Sequence, residues 1–187
     1  MQTKAGSEQD VIDLLIDQHG QIKSLFAEIP ASSGAQKKRL FYDLVRLLAV
    51  HEAAEEQVVH PAARRKIDNG EPIVSARLAE EDEAKHALAE LYDLGVDHPD
   101  FDVRLREFGE DVVRHATAEE TEEFAQMRAK LSRDELVRMA GLVRAAEAAA
   151  PTRPHPATGE SAAANMIMGP PLALFDRIRD AVRDRRS

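Results

Sequence analysis

The chain of 187 residues contains no cysteine. That absence removes disulfides, thiolate nucleophiles, iron–sulfur clusters and cysteine-ligated zinc together, so any metal must be held by nitrogen and oxygen. Tryptophan is also missing, and aromatic residues make up 4% of the chain. The remaining composition, rich in Ala, Leu, Glu and Arg, makes helix the default. No apolar run approaches the roughly 20 residues needed to span a bilayer, so no stable membrane association is expected. The polar opening from Met1 to Asp10 lacks the apolar stretch of a secretory signal, and the chain is expected in the cytoplasm. Positive charge is in deficit: 25 Lys and Arg against 34 Asp and Glu give a net −9. That balance argues against a nucleic-acid or anionic-membrane surface. No phosphate-cradling loop or nucleophile–base pair is visible, so hydrolase and kinase readings have little support.

What is present is helical periodicity. A first helix is expected from about Glu8 to Ile29, with Val11, Leu15, Ile22 and Phe26 along one side. Pro30 and Ser32-Ser33-Gly34 end it. A second runs from about Gln36 to Lys66 on a stripe of Leu40, Leu44, Leu47, Leu48, Val58 and Ala62. Asp68-Asn69-Gly70 stops it, and Pro72 suits the first turn of a third helix, about Ile73 to Leu94. His98-Pro99-Asp100 precedes a fourth, about Phe101 to Leu131, and Ser132 with Glu135 forms a capping box opening a fifth that reaches Ala150. Short loops between long helices predict an all-α, up-down-up-down four-helix bundle over residues 1–150.

The composition changes at Pro151. The run Pro151-Thr152-Arg153-Pro154-His155-Pro156 cannot continue a helix and is expected to be extended. Beyond it, residues 172–185 are amphipathic, with Leu174, Phe175, Ile178 and Val182 in register. Residues 151–187 carry six Arg against four acids, which leaves −11 on residues 1–150. The tail is read as a linker and a helix that packs on its own bundle; covering a partner subunit or touching a membrane surface are the alternatives. The chain is expected to be a monomer or homodimer.

The chemistry lies inside the apolar stripes. His51 with Glu55 and His115 with Glu119 share an i, i+4 spacing, and each pair lies in an apolar stripe. Positions four apart sit about 40° apart on a helix, so each pair points side by side. Glutamate is rarely buried without a partner, and several converging imidazoles and carboxylates usually meet at a metal ion. His19 joins them from the first helix among Leu15, Ile22 and Phe26. On the third helix Glu81 falls on the inner face with Val74, Leu78, Leu88 and Leu91, while His86, about 140° from it, is read as a surface histidine. His60 lies about 180° from His51, outside the stripe unless a local bulge beside Pro61 turns it inward. Glu52, about 100° from His51, sits at the edge of the inner face, within reach of a metal.

At these residues the chain resembles the hemerythrin-like HHE cation-binding domains. The resemblance rests on Asp10-Val11-Ile12-Asp13-Leu14-Leu15 leading to His19, on HEAAEEQVVHPAAR (51–64), AEEDEAKHALAEL (79–91) and EDVVRHATAEE (110–120), and on the Pro-rich run 150–156, an ending of actinobacterial members. It implies a bundle holding two non-haem iron ions, with Glu55 and Glu119 as bridges and His19, His51 and His115 as terminal ligands. Other divalent metals suit the same donors. Three positions depart from the family: its helix-three histidine is Glu81 here, the residue before Pro61 is His60 where Tyr is common, and Glu52 replaces a small residue. Either His60 or His86 could supply the lost imidazole.

The resemblance further implies that a small ligand (O2, nitric oxide or peroxide) is bound or sensed, with catalase-like or peroxidase-like activity secondary. Leu15, Leu48 and Phe108 are expected to wall off water from the site. The alternatives are an iron-storage or iron-sensing module without redox turnover, and a metal-free helical interaction domain.

Overall fold

The computed structural model describes residues 9–149, with side chains through residue 145, and every element among them is helical. Helix α1 spans Val11–Glu28. Helix α2 is one continuous run of three segments: Gly34–Ala54, a π-helical Glu55–Val59, and His60–Lys66. Helix α3 spans Gly70–Leu94. Helix α4 repeats the pattern of α2, with Phe101–Ala118, a π-helical Glu119–Phe124 and Ala125–Lys130, and α5 spans Arg133–Ala149. The expected linker and tail helix of residues 151–187 lie outside the described residues.

Local chemistry sets the helix ends. The Asp10 carboxylate accepts hydrogen bonds from the amides of Ile12 and Asp13, each at 3.0 Å, which satisfies two free donors at the start of α1. Its other oxygen accepts from Arg128 Nη1 at 3.2 Å, tying α1 to the end of α4. The capping box expected before α5 forms: the Ser132 amide donates to Glu135 Oε2 at 2.9 Å, and the Glu135 amide donates to Ser132 Oγ at 3.3 Å. Gly95, at φ 82°, ends α3 in a conformation that side chains disfavour. α3 starts earlier than expected, so Pro72 is its third residue and Gly70 its first.

Two apolar clusters fix the topology. One joins Val11, Ile12 and Leu15 of α1 to Ala63 of α2, Val74 of α3 and Phe124 and Met127 of α4. The other joins Ile22 of α1 and the following Ile29 to Phe41 and Leu44 of α2, Leu91 of α3, and Phe101, Leu105 and Phe108 of α4. Each helix enters one cluster and leaves through the other, in alternating sense, so the four run up-down-up-down. α5 covers the first cluster with Leu136, Met139, Ala140 and Val143. Each large side chain buried here contributes about 1.5–3 kcal/mol. Among the described residues no helix is long and apolar enough to cross a membrane.

The α2–α3 turn is the tightest point of the bundle. Asn69 takes a left-handed conformation at φ 52°, and a Cβ on Gly70 would lie 2.5 Å from the Ala63 carbonyl oxygen and 2.9 Å from Arg64 Cα. These are backbone atoms that cannot swing aside. Gly70→Ala is therefore expected to destabilise the fold by about 1–3 kcal/mol in urea denaturation; an unchanged midpoint would show that the turn opens freely.

Candidate metal centre

Between the two apolar clusters lies a polar layer. His19 comes from α1, His51, Glu55 and His60 from α2, Glu81 from α3, and Glu119 and Glu123 from α4; all seven are at most 4% exposed. His115 of α4 joins them half-buried. An isolated charge in such a place costs several kcal/mol, so this concentration is not a packing solution.

The π-helical segments decide which side chains reach the layer. Pro61 has no amide hydrogen, and its ring would crowd the carbonyl of Gln57 in a regular helix. The His60 amide instead donates to Glu55 O, five residues back, and the widened turn brings His60 to the inner face at 2% exposure. The α4 segment has no proline. There Thr121 Oγ1 donates to Thr117 O at 2.8 Å, and Gln126 Nε2 to Glu122 O at 3.0 Å, supplying partners for carbonyls the wider turn releases. A regular period would place Glu122 about 60° and Glu123 about 40° from Glu119, both near the inner face. The structure buries Glu123 completely and leaves the Glu122 side chain 56% exposed.

Two overlapping sets of donors result. One atom each from His19, His51, Glu55 and Glu119 lies within 4.8 Å of the others, and so does one each from Glu55, Glu81, His115 and Glu119. Glu55 and Glu119 belong to both sets. His19 Nε2 sits 3.1 Å from His51 Nε2 and 3.3 Å from Glu119 Oε2; Glu55 Oε1 is 3.3 Å from His51 Nε2, and Glu119 Oε1 is 3.3 Å from His115 Nε2. Donors at right angles around one cation, with metal–nitrogen bonds of about 2.1 Å, lie about 3 Å apart.

Outer partners orient the rings. His51 Nδ1–H donates to Gln18 Oε1, His19 Nδ1–H to Glu120 Oε1 and His115 Nδ1–H to Glu80 Oε2, each at 2.8 Å. The Nε2 atoms of all three rings therefore face the centre, the arrangement expected of metal-binding imidazoles. His19 Nε2 and His51 Nε2, 3.1 Å apart, need a proton or a cation between them. The buried oxygens of Glu55 and Glu119 hold no hydrogen bond, and neither does Glu81 Oε2. Converging ring nitrogens and orphaned carboxylate oxygens fit a pair of cations.

His60 is placed differently. Its Nε2–H donates to Glu81 Oε1 at 2.7 Å and its Nδ1–H to Glu123 Oε1 at 3.1 Å, so both nitrogens are spent on carboxylates. His86 stands apart, bonded through Nδ1–H to the Asp82 carbonyl oxygen at 2.6 Å. Glu52 lies 3.6 Å from Lys85 Nζ, which also bonds Glu56 at 2.6 Å and sits 3.7 Å from Glu81 Oε2. The sequence reading missed Gln18, Glu80, Glu120 and Glu123. The first three adjoin His19, Glu81 and Glu119 in the chain, which was the available signal; for Glu123 the signal was its i, i+4 spacing from Glu119.

The charges sort accordingly. Burial and the neighbouring His19 press His51 down to about 3, so it is neutral with its lone pair free. Burial and the surrounding Glu119, Glu81 and Glu123 push Glu55 well above the usual carboxylate range. Glu119 is held below it: burial opposes, and the facing His115 and His19 prevail. Burial also opposes charge on His60 and His115, yet the carboxylates bonded to them hold these imidazoles up to about 10 and about 9. Burial pushes Glu52 up to about 8 against the pull of Lys85.

A cavity of about 100 Å³ opens onto the layer, touching His19, His51, Glu55, Glu81 and His115. Its apolar walls are Ile22, Leu48, Ala84, Ala87, Phe108 and Val112. Leu48 and Phe108 stand where the sequence reading put them; Leu15 belongs to the opposite apolar cluster and does not line the cavity.

Residues 10–127 match the model of the hemerythrin HHE cation binding domain. A solved structure of an HHE cation binding domain-containing protein from Mycobacterium kansasii has the same fold, with a TM-score of 0.66 and 20% identity over 76% of this chain and 90% of that one. A DNA nickase of Nostoc sp. is 28% identical over 148 residues, 78% of this chain; the match spans 42% of that relative's length.

The charge pattern predicts how metal-free protein responds to alkali. His60 and His115 rise from 6.5 on folding, so their stabilisation is complete below pH 6.5 and is lost through about 9 and 10. Glu52 rises from 4.5 to about 8, and its burial turns against the fold as pH climbs through that window. All three act in one direction. The melting temperature of metal-free protein should fall by about 5 °C or more between pH 7 and 10, with a smaller fall after metal loading; identical profiles for the two forms would contradict this assignment of charge.

Proposed function

Starting from the fact that this chain belongs to the hemerythrin HHE cation-binding family, we propose that it holds two non-haem iron ions and binds or senses a small ligand there. His19 and His51 would serve one ion, Glu81 and His115 the other, and Glu55 and Glu119 both. The observation that carries the reading is the sharing of these two carboxylates, fully buried and without hydrogen bonds, by both donor sets. Mixed imidazole and carboxylate donors suit iron, and in helical bundles inward-facing glutamates and histidines build such centres. A bound pair of ions supplies an open coordination position and redox capacity. The chain's own residues do the rest: Gln18, Glu80 and Glu120 fix the rings, and the apolar walls restrict water.

The apolar part of the cavity, beside Leu48, Phe108 and Val112, suits O2, nitric oxide or peroxide and supports ligand binding; the same lining also carries Lys23, Glu83, Asp111 and Arg114. Peroxide decomposition is a secondary property on this reading. DNA cleavage is not carried over from the Nostoc relative, because more than half of that protein lies outside the match and the acidic charge of this chain gives no attraction to phosphate.

Protein loaded with iron(II) without oxygen and then exposed to air should retain about two irons per chain and show an absorption band that shifts on adding azide, nitric oxide or peroxide. Glu119→Ala should lower retained iron by at least half while the helical signal in circular dichroism persists. Wild-type protein that retains no iron, or a spectrum indifferent to all three ligands, would reject the proposal.

A further inference from the structure

The two donor sets are not alike. One offers two imidazoles, His19 and His51, with the shared Glu55 and Glu119; the other offers one imidazole, His115, and adds Glu81 to the same pair. The first position is therefore half nitrogen, and the second is three-quarters carboxylate.

This difference is built in and is supported from behind. Glu81 is 2% exposed, and its Oε1 accepts from His60 Nε2–H at 2.7 Å, which leaves Oε2 buried, without a hydrogen bond. His60 is itself anchored by Glu123, which is fully buried and reaches its Nδ1. His60 thus faces Glu81 with an N–H, and lends no lone pair to a cation. It acts as a positioning residue that presents a carboxylate oxygen in place of a nitrogen. Lys85 Nζ, 3.7 Å from Glu81 Oε2, stands on the same side without closing a hydrogen bond.

Imidazole favours iron and the later first-row metals, whereas carboxylate favours manganese, magnesium and calcium. Iron(II) outbinds manganese(II) at most nitrogen–oxygen sites, and replacing imidazole by carboxylate narrows that gap. We propose that the centre is chemically divided: the His19–His51 position selects iron, and the Glu81–His115 position admits a harder, oxygen-preferring cation of the manganese(II) class. The division rests on the dinuclear reading above and extends it from two like ions to two unlike positions.

Metal-free protein loaded anaerobically with iron(II) and manganese(II) in varied ratio, then crystallised, gives each position its own manganese-to-iron ratio by anomalous scattering at the two absorption edges. That ratio should be at least about tenfold higher at the Glu81–His115 position. Equal ratios, or manganese concentrated beside His19 and His51, would overturn the division while leaving the dinuclear reading intact. No metal at either position would overturn both. Glu81→His should bring the two ratios together, and a variant that binds metal with the wild-type partition would also overturn the division.

Discussion

Carboxylates cannot be buried side by side unless positive charge lies between them. Glu55 and Glu119 are fully enclosed, share their surroundings with Glu81 and Glu123, and keep oxygens without hydrogen-bond partners. In a medium of low effective dielectric their repulsion would amount to several kcal/mol, comparable with the whole stability of a domain. The metal-free protein meets this with protons: His60 and His115 stay charged and Glu55 resists ionisation. Cations would meet it better, because the Nε2 atoms of His19, His51 and His115 already converge on the same space and would release any protons they carry.

The rest of the bundle holds that arrangement in place. Two apolar clusters, one at each end, clamp the helices so that the polar layer has no freedom to splay. Both shared glutamates are the first residues of π-helical segments. The widened turn of α2 delivers His60, which a regular helix would have turned away, and that of α4 turns Glu122 outward while Glu123 stays buried. His60 then bonds both Glu123 and Glu81, so the irregularities of α2 and α4 support the same side of the site.

The centre is also open on one face. The cavity reaches its donors past Ala84 and Ala87 of α3, where small side chains leave room between helices. Family membership makes this a cation-binding domain, but the same scaffold serves many roles, and the cavity walls and donor set are what distinguish one from another.

Much of this could be read in the sequence alone. The helix periodicity, the Asp68-Asn69-Gly70 stop, the Ser132–Glu135 cap and the two HxxxE pairs are local patterns, and local patterns determine helices, their ends and the residues on their inner faces. The inward direction of Glu81 followed from the same periodicity. What the sequence could not supply was any feature that depends on a break in the period or on a neighbour from another helix. Counting at 100° per residue put His60 outside; the widened turn of α2 brings it in, and that of α4 turns Glu122 out. The pairing of His60 with Glu81 and Glu123, the outer partners of the His19, His51 and His115 rings and the cavity itself arise where separate helices meet. The chain thus determined which groups are available, and only tertiary packing decided which of them face one another, because burial and through-space charge are properties of the assembled bundle.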